Sequence, residues 1–476
     1  MSAKNFDAVV IGAGPGGYVC AIRLAQLGKK TAVIERDNVG GVCLNVGCIP
    51  SKAIIHASKT FYNIQHEAPE MGITAGTAKC DVEKLQAWKN GVVKQLTGGV
   101  ATVLKANGVE IIKGSAVFKD AKTVEVTGVS GKDTVTATNF VIATGSRVVQ
   151  IPILPFNGKN IIDSTQALDL KTVPKKMIVV GGGFIGLEIG TAYAKFGSSV
   201  TIVEALDQLL ASVDKELVTV VEKRLKNLGV TVLVSTKAIG LKEKDPAKAS
   251  LLHLDVDSQG KTQTLEADCI LVSVGRRPNS DNLGLDKAGV KIDAKGNITT
   301  DKQGLTNIKS IYAIGDVTGP PQLAHRAMMD GTLVAASIAG EKSFKDYKTV
   351  PWAVFSDPEI STAGLTEKEA QDKGIKYHVG KFPFAANGRA ISTNDTAGFI
   401  KVLVAEKDET VIGVHMVGPE VSNLIAEAAL AIEMGACAED VVRTIHTHPT
   451  LTEAFPEAIE QAFSKAIHIY KPVRRS

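Results

Sequence analysis

The sequence predicts an α/β fold in which one strand–helix–strand unit occurs twice, ahead of a C-terminal segment of mixed α+β pattern. Three observations carry this. A short apolar run ending in spaced glycines occurs near the N-terminus and again mid-chain, each time followed by a helical pattern and a second apolar run that ends in glutamate. The 476 residues exceed the roughly 250–300 at which a single hydrophobic core stops growing, so several domains are expected. Hydrophobic content of 44%, charged content of 22% and 45 glycines describe a globular chain rich in tight turns rather than a disordered one.

The first unit reads as a strand over Phe6–Ile11, the glycines Gly12, Gly14 and Gly17, a helical stretch over Tyr18–Leu27 and a strand over Thr31–Glu35. Glycines at this spacing permit a tight turn, close backbone approach to a pyrophosphate and close helix packing, while the helix N-terminus offers N–H groups to the anion. Glu35 is placed to accept hydrogen bonds from ribose hydroxyls. An ordinary glycine turn is the alternative, but the strand before, the helix after and the acid at this distance favour a dinucleotide.

The unit returns as Met177–Val180, then Gly181, Gly183 and Gly186, a helical stretch through Phe196 and a strand over Val200–Glu204. The separation from last glycine to acid is the same in both copies. Two copies suggest two dinucleotides, one retained and one exchanging, as an electron-transfer enzyme needs. Duplication without a second ligand is the bland alternative. Glu204 suits a 2′-hydroxyl and repels a 2′-phosphate, and Ala205 and Leu206 supply no cation, so the reading is NAD and not NADP.

Between the two units lie Cys43 and Cys48, separated by Leu44, Asn45, Val46 and Gly47. A regular helix would hold such positions too far apart for a disulfide, whose Cα atoms lie within about 7 Å, so a distorted turn eased by Gly47 is expected, with Cys48 near a helix start. A helix N-terminus and a nearby cation would depress the thiol pKa and favour a reactive thiolate. Zinc is the rival reading, but Cys20, Cys80, Cys269 and Cys437 form no second short-spaced pair. A static disulfide is another.

Other classes find little support. A net charge of +4 on this length is weak, and no basic stripe with interleaved aromatics suggests nucleic acid. Runs such as Ala8–Ile11 fall far short of the ~20 apolar residues of a membrane span, and no secretory signal is visible, so a cytoplasmic protein is expected. No metal is expected. From about Thr349 onward, β-like stretches at Gly398–Val404 and Val411–Val417 and a helical stretch at Ser422–Met434 suit an α+β layer.

The motifs GAGPGGY, GGVCLNVGCIPSKA, GGGFIGLE, VGRRPN, YAIGDV and HTHPTLTEA together resemble the flavoprotein disulfide reductases, the class I pyridine nucleotide-disulfide oxidoreductases, over almost the whole chain. The resemblance implies two Rossmann-like domains and a dimerisation domain: FAD binding by 1–147 and again by 271–348, NAD binding by 148–270, and an α+β interface over 349–476 through which a homodimer forms. FAD would be held tightly without a covalent bond, and NAD would exchange. Cys43 resembles the thiol that exchanges with substrate, and Cys48 the thiol that lies against the flavin. Lys52 resembles the cation beside the flavin, Glu188 its carboxylate partner, Asp316 the acid on the ribityl chain, and Ala324 a backbone contact. Further FAD contacts implied are Arg36, Gly41, Val42, Ala116, Thr144, Gly145 and Ser146. Further NAD contacts implied are Phe184, Ile185, Ala238 and Gly275.

His448 and Glu453 resemble the base and its carboxylate partner, reaching the dithiol of the other subunit. Five residues apart with Pro449 between, they must meet through a local turn. His446 stands two positions earlier, but the family pattern places the base directly before proline. The implied reaction is oxidation of a dihydrolipoyl dithiol, carried by acyltransferase subunits of 2-oxoacid dehydrogenase complexes or by the lipoyl carrier of glycine cleavage, with reduction of NAD⁺. Glutathione reductases would call for NADP and basic residues after the second strand, and mercuric and large thioredoxin reductases for a C-terminal thiol pair, whereas the last cysteine here is Cys437. A non-catalytic redox-sensing scaffold is the alternative from another class. Three features depart from the family pattern: Ala116 where glycine is common, Phe355 and Ser356 for a tyrosine and threonine, and the tail HIYKPVRRS.

Overall fold

A central parallel strand is covered on both faces, and the first strand, Lys4–Ile11, shows it: all residues from Ala8 to Ile11 are buried. Val9 and Ile11 enter one core with Ile34, Phe118 and Phe140. Ala8 and Val10 enter another with Cys20, Leu24 and Val33. The computed structural model describes residues 4–129 and 131–470, in two compact units: Met1–Val173 with Val272–Asp346, and Pro174–Leu271 with Tyr347–Ser476. The stretch 148–173, read from sequence with the second motif, falls in the first unit, and the C-terminal segment shares a unit with the second motif.

In the first unit, Lys4–Ile11 lies between Thr31–Glu35 and the C-terminal part of Gly131–Ile142, all parallel, and Ile311–Ala313 joins the far side of Gly131–Ile142 in parallel. Glu110–Lys113 extends the other edge. The N-terminal part of Gly131–Ile142 instead pairs antiparallel with Thr123–Gly128, which pairs with Ser115–Asp120. The helix after the first glycine turn is Pro15–Gln26, beginning earlier than Tyr18 because Pro15 supplies a preset φ where no backbone N–H is needed. It packs along the helix Ala324–Ala339. Gly16 and Gly331 make that crossing possible, since a Cβ on Gly16 would lie 2.8 Å from the Ala327 carbonyl oxygen and one on Gly331 would lie 2.5 Å from that of Gly16.

In the second unit, Lys176–Val180, Ser199–Val203 and Thr231–Leu233 form parallel pairs, with the helix Phe184–Lys195 after the first. Thr236–Leu241, Leu252–Ser258 and Lys261–Ala267 make an antiparallel sheet. The C-terminal segment is a five-stranded antiparallel sheet, including Phe399–Ala405 and Val411–Gly418, packed against helices Val421–Met434 and Ala454–Ala462. That is the expected α+β layer, with ends shifted by a residue. No helix among the described residues is long and apolar enough to cross a membrane. Residues 471–476 of the tail lie outside the described residues.

Candidate active site

The helix carrying Cys43, Gly41–Val46, stops at Gly47, and a second helix, Cys48–His66, starts with the other cysteine. A Cβ on Gly47 would lie 2.9 Å from the Val42 carbonyl oxygen, so glycine allows the break that the spacing requires. Asn45 Nδ2 donates to the carbonyl oxygens of Val39 and Gly41 at 3.0 and 2.9 Å and braces the first helix. The two cysteine side chains hydrogen-bond to each other, which brings them together as a dithiol.

Cys43 titrates far above the ordinary thiol range, whereas the depression expected from sequence concerned the thiol at the helix start, Cys48. The largest cause is its hydrogen bond with Cys48, then burial, then the negative charge on Cys48; Lys52 acts in the opposite direction. Two thiols this close cannot both ionise readily, so a charge on either one disfavours ionisation of the other. Lys52, one helical turn after Cys48, stands on the same helix face.

The glycine turn beside this dithiol is closely packed. Gly12 has φ +101°, and a Cβ on Gly17 would lie 1.9 Å from the Gly12 carbonyl oxygen. No side chain caps the helix that follows, so its first-turn N–H groups face the turn. Gly41 fits against Gly14 with no room for a side chain, a Cβ there falling 2.6 Å from the Gly14 Cα. This turn fits a pyrophosphate.

Glu35 does more than face a ribose. Its oxygens accept from the backbone N–H groups of Ala13 and Asp37, each at 2.7 Å, tying the turn to the second strand. A carboxylate has about four lone-pair sites, so two remain for hydroxyls. Exposed Arg36 pairs with Asp37 and half-buried Thr144 donates to the Asn279 carbonyl oxygen, while Ala116 sits in the core of the sheet.

Ser146 donates to Asp316 Oδ2 at 2.5 Å and accepts from Arg276 Nε at 2.7 Å. Asp316 lies in the turn Gly315–Thr318, just past the strand Ile311–Ala313 rather than at its end, and Ala324 begins its helix as expected. Burial lowers the Arg276 pKa, while the charges of Asp316, Cys48 and Asp163 favour its cationic form. Sequence reading passed over Arg276 although it stands in VGRRPN, because one arginine in a turn gives no sign of burial.

The second turn repeats the first. Gly181 has φ +107°, the helix Phe184–Lys195 starts without a side-chain cap, and a Cβ on exposed Gly183 would meet nothing within 4 Å. Glu204 accepts from the N–H groups of Gly182 and Leu206 at 2.6 and 2.8 Å, the counterpart of the Glu35 brace. Gly186 is buried, Phe184 and Ile185 half-buried at the helix start, and Ala238 flanks an irregularity in its strand. Glu188 is buried and accepts from the Phe355 N–H at 2.9 Å. Gly275 belongs to the first unit.

His448 Nδ1 lies 2.8 Å from Glu453 Oε1 across the turn before helix Ala454–Ala462, and Glu453 Oε2 accepts from the Thr450 N–H at 2.8 Å. Burial alone would raise the Glu453 pKa, but the Thr450 N–H and the His448 ring hold it below the usual carboxylate range. The imidazole is largely exposed. The acids Asp214, Glu216 and Glu367 converge closely enough for a metal, but buried Lys401 already bonds to all three.

The fold and dithiol define a flavin-dependent disulfide oxidoreductase. The chain belongs to the pyridine nucleotide-disulphide oxidoreductase family, whose model matches residues 6–331, with the family's dimerisation domain matching 350–459. It is 49% identical over 467 residues to a dihydrolipoyl dehydrogenase of Geobacillus stearothermophilus, covering 98% of each chain, and 46% identical over 466 residues to that of Bacillus subtilis, again 98% of each. Among solved structures it is similar to LpdA from Mycobacterium tuberculosis, with TM-score 0.88 and 26% identity over 96% of this chain and 99% of that one. The HOCl-induced flavoprotein disulfide reductase RclA from Escherichia coli, as its Cu(II) complex, gives TM-score 0.84 and 28% identity over 96% and 99%.

Proposed function

We infer that the chain oxidises a dihydrolipoyl dithiol to the cyclic disulfide and reduces NAD⁺ to NADH. The observation that carries this is the Cys43–Cys48 pair, set across a broken helix beside one dinucleotide turn, in a chain with a second such turn braced by Glu204. The first turn, Glu35 and Asp316 would hold FAD, which when bound would supply the two-electron link between the dithiol and NAD⁺.

A substrate thiolate attacks Cys43 of the oxidised pair, the S–S bond breaks, and Cys48 leaves as thiolate. The second substrate thiol then attacks the substrate sulfur bound to Cys43, releasing the lipoyl disulfide and returning Cys43 as a thiol. Two electrons have moved from substrate to the cysteines, and His448 of the other subunit, oriented by Glu453, accepts the proton left over. Lys52 favours the negative charge left on the pair, which agrees with its effect on Cys43. We propose that Gly181, Gly183 and Gly186 would hold NAD⁺ with Glu204 toward its ribose, and that Glu188, a further contact for NAD⁺, is the carboxylate partner of Lys52. The proposed functional domains are 1–147 with 271–348, 148–270 and 349–476. The proposed setting is a cytoplasmic homodimer serving lipoyl-bearing acyltransferases or the lipoyl carrier of glycine cleavage.

The test is direct. Purified protein should be yellow and should reduce NAD⁺ with dihydrolipoamide but not with glutathione. A preparation that prefers glutathione, or NADP⁺ as acceptor, contradicts the reading.

A further inference from the structure

The loop that carries His448 holds a second histidine with a different environment. His446 keeps only 10% of its side chain exposed, against 78% for His448. Its Nε2 lies 2.7 Å from Glu427 Oε1, and its Nδ1 lies 2.8 Å from the Thr444 carbonyl oxygen. Glu427 belongs to the helix Val421–Met434, which is fixed in the C-terminal core by Val421, Ile425 and Ala428.

On the other side of His448 the loop has its own anchor. Asn387 Nδ2 donates to the Thr450 carbonyl oxygen at 3.0 Å, and Glu453 accepts from the Thr450 N–H at 2.8 Å. Apolar burial does not fix the chain where it enters the first anchor, since Ile445, just before His446, is 97% exposed. Glu453 sets the rotation of the His448 ring, but a single bond to Nδ1 does not fix where the backbone beneath it sits.

We propose that His446 and Glu427 form a positioning latch for the base, holding the His448 backbone to the core helix from the N-terminal side as Thr450 holds it from the C-terminal side. The proposal rests on His448 being the proton acceptor. His446 touches no reacting atom. Loss of the latch widens the range of positions of the imidazole, and a misplacement of about 1 Å in a reacting group can cost up to about a hundredfold in rate.

The test uses holoenzyme and two assays: dihydrolipoamide-dependent NAD⁺ reduction, which needs the base, and NADH-driven reduction of an artificial one-electron acceptor, which does not draw a proton from a dithiol. For His446→Ala the kcat with dihydrolipoamide should fall about tenfold or more, while flavin content and the NADH-driven rate change less than about twofold. His446→Gln, whose amide can still donate to Glu427, should recover part of the loss. Glu427→Ala should match His446→Ala, and the double variant should be no slower than the slower single, because the two act as one unit.

A dithiol rate within about twofold of wild type in His446→Ala overturns the latch, as does an equal loss in both assays or losses that multiply in the double variant. If His446→Ala does not fold, Glu427→Ala, at a partly exposed carboxylate, gives the same comparison. His448→Gln separates the two levels. Wild-type turnover in His448→Gln removes the base assignment itself, whereas a slow His448→Gln beside a normal His446→Ala removes only the latch.

Discussion

Replacing Glu204 by alanine removes two acceptors from the second glycine turn, the bonds from Gly182 and Leu206 at 2.6 and 2.8 Å. A hydrogen bond to a charged group contributes roughly 1.5–3 kcal/mol, so the pair sets an upper bound of about 3–6 kcal/mol on turn order. Glu204 is only half-buried, and water replaces part of that, leaving about 1–2 kcal/mol. Loss of a ribose contact adds a similar amount. With about 1.4 kcal/mol per factor of ten, the combined loss of about 2–4 kcal/mol should weaken NAD binding about thirtyfold to several hundredfold. FAD should be unaffected, because Glu35 performs the equivalent task in the other unit through Ala13 and Asp37. Glu204→Gln keeps one carbonyl oxygen as acceptor and should lose less. The assay is NADH affinity by rapid-mixing fluorescence beside flavin absorbance per mole of protein. Unchanged NADH affinity, or flavin lost in parallel with NADH, would refute the assignment of separate turns to separate dinucleotides.

Three other outcomes follow from packing and charge. Gly17→Ala places a Cβ 1.9 Å from the Gly12 carbonyl oxygen, so the turn must shift at a cost of about 1–3 kcal/mol or more, and the variant should release FAD and melt earlier; a yellow variant melting with wild type would contradict the turn geometry. Asp357 meets buried Lys195 and Arg224 at 2.9 and 3.0 Å, and although burial pushes its pKa up, the two cations hold it below the usual range. Asp357→Asn should therefore cost about 3–5 kcal/mol at neutral pH by removing the buried negative charge that Lys195 and Arg224 both meet. A depressed carboxylate contributes stability that is complete above its unfolded value of about 4 and lost as pH falls through the folded one, so the wild-type and Asp357→Asn unfolding curves should converge only in strong acid. Convergence near pH 6 would count against the pairing. For Glu453, also depressed, the rates of wild type and Glu453→Gln should merge only below about pH 4, and merging near neutrality would show that the carboxylate does not orient His448 in its charged form.

Much of the site could be read from local spacing. The helix break between Cys43 and Cys48 follows from disulfide geometry, and Gly47 is where it occurs. The turn that joins His448 to Glu453 is also local, five residues long with proline inside. What escaped reading depends on partners distant in sequence. The helix start at Pro15 was placed late because Gly16 and Gly17 are poor helix formers; Gly16 is present because it faces Gly331 across a close crossing, and Gly17 because it abuts the Gly12 carbonyl. The acids were read as ribose ligands, while their bonds to turn N–H groups depend on side-chain direction, which a one-dimensional pattern does not carry. The rise in the Cys43 pKa was not read for a related reason: the helix start and the lysine bear on Cys48, and the effect of one sulfur on the other needs the distance between them.

The central claim is that Cys48 links Cys43 to the flavin, and the most direct test is the visible spectrum during stepwise reduction with dihydrolipoamide. Wild type should develop a long-wavelength absorbance at two electrons and lose it on adding NAD⁺. Cys43→Ser should retain that absorbance without turnover, and Cys48→Ser should lack both. A Cys48→Ser protein that keeps the band and turns over would contradict the account.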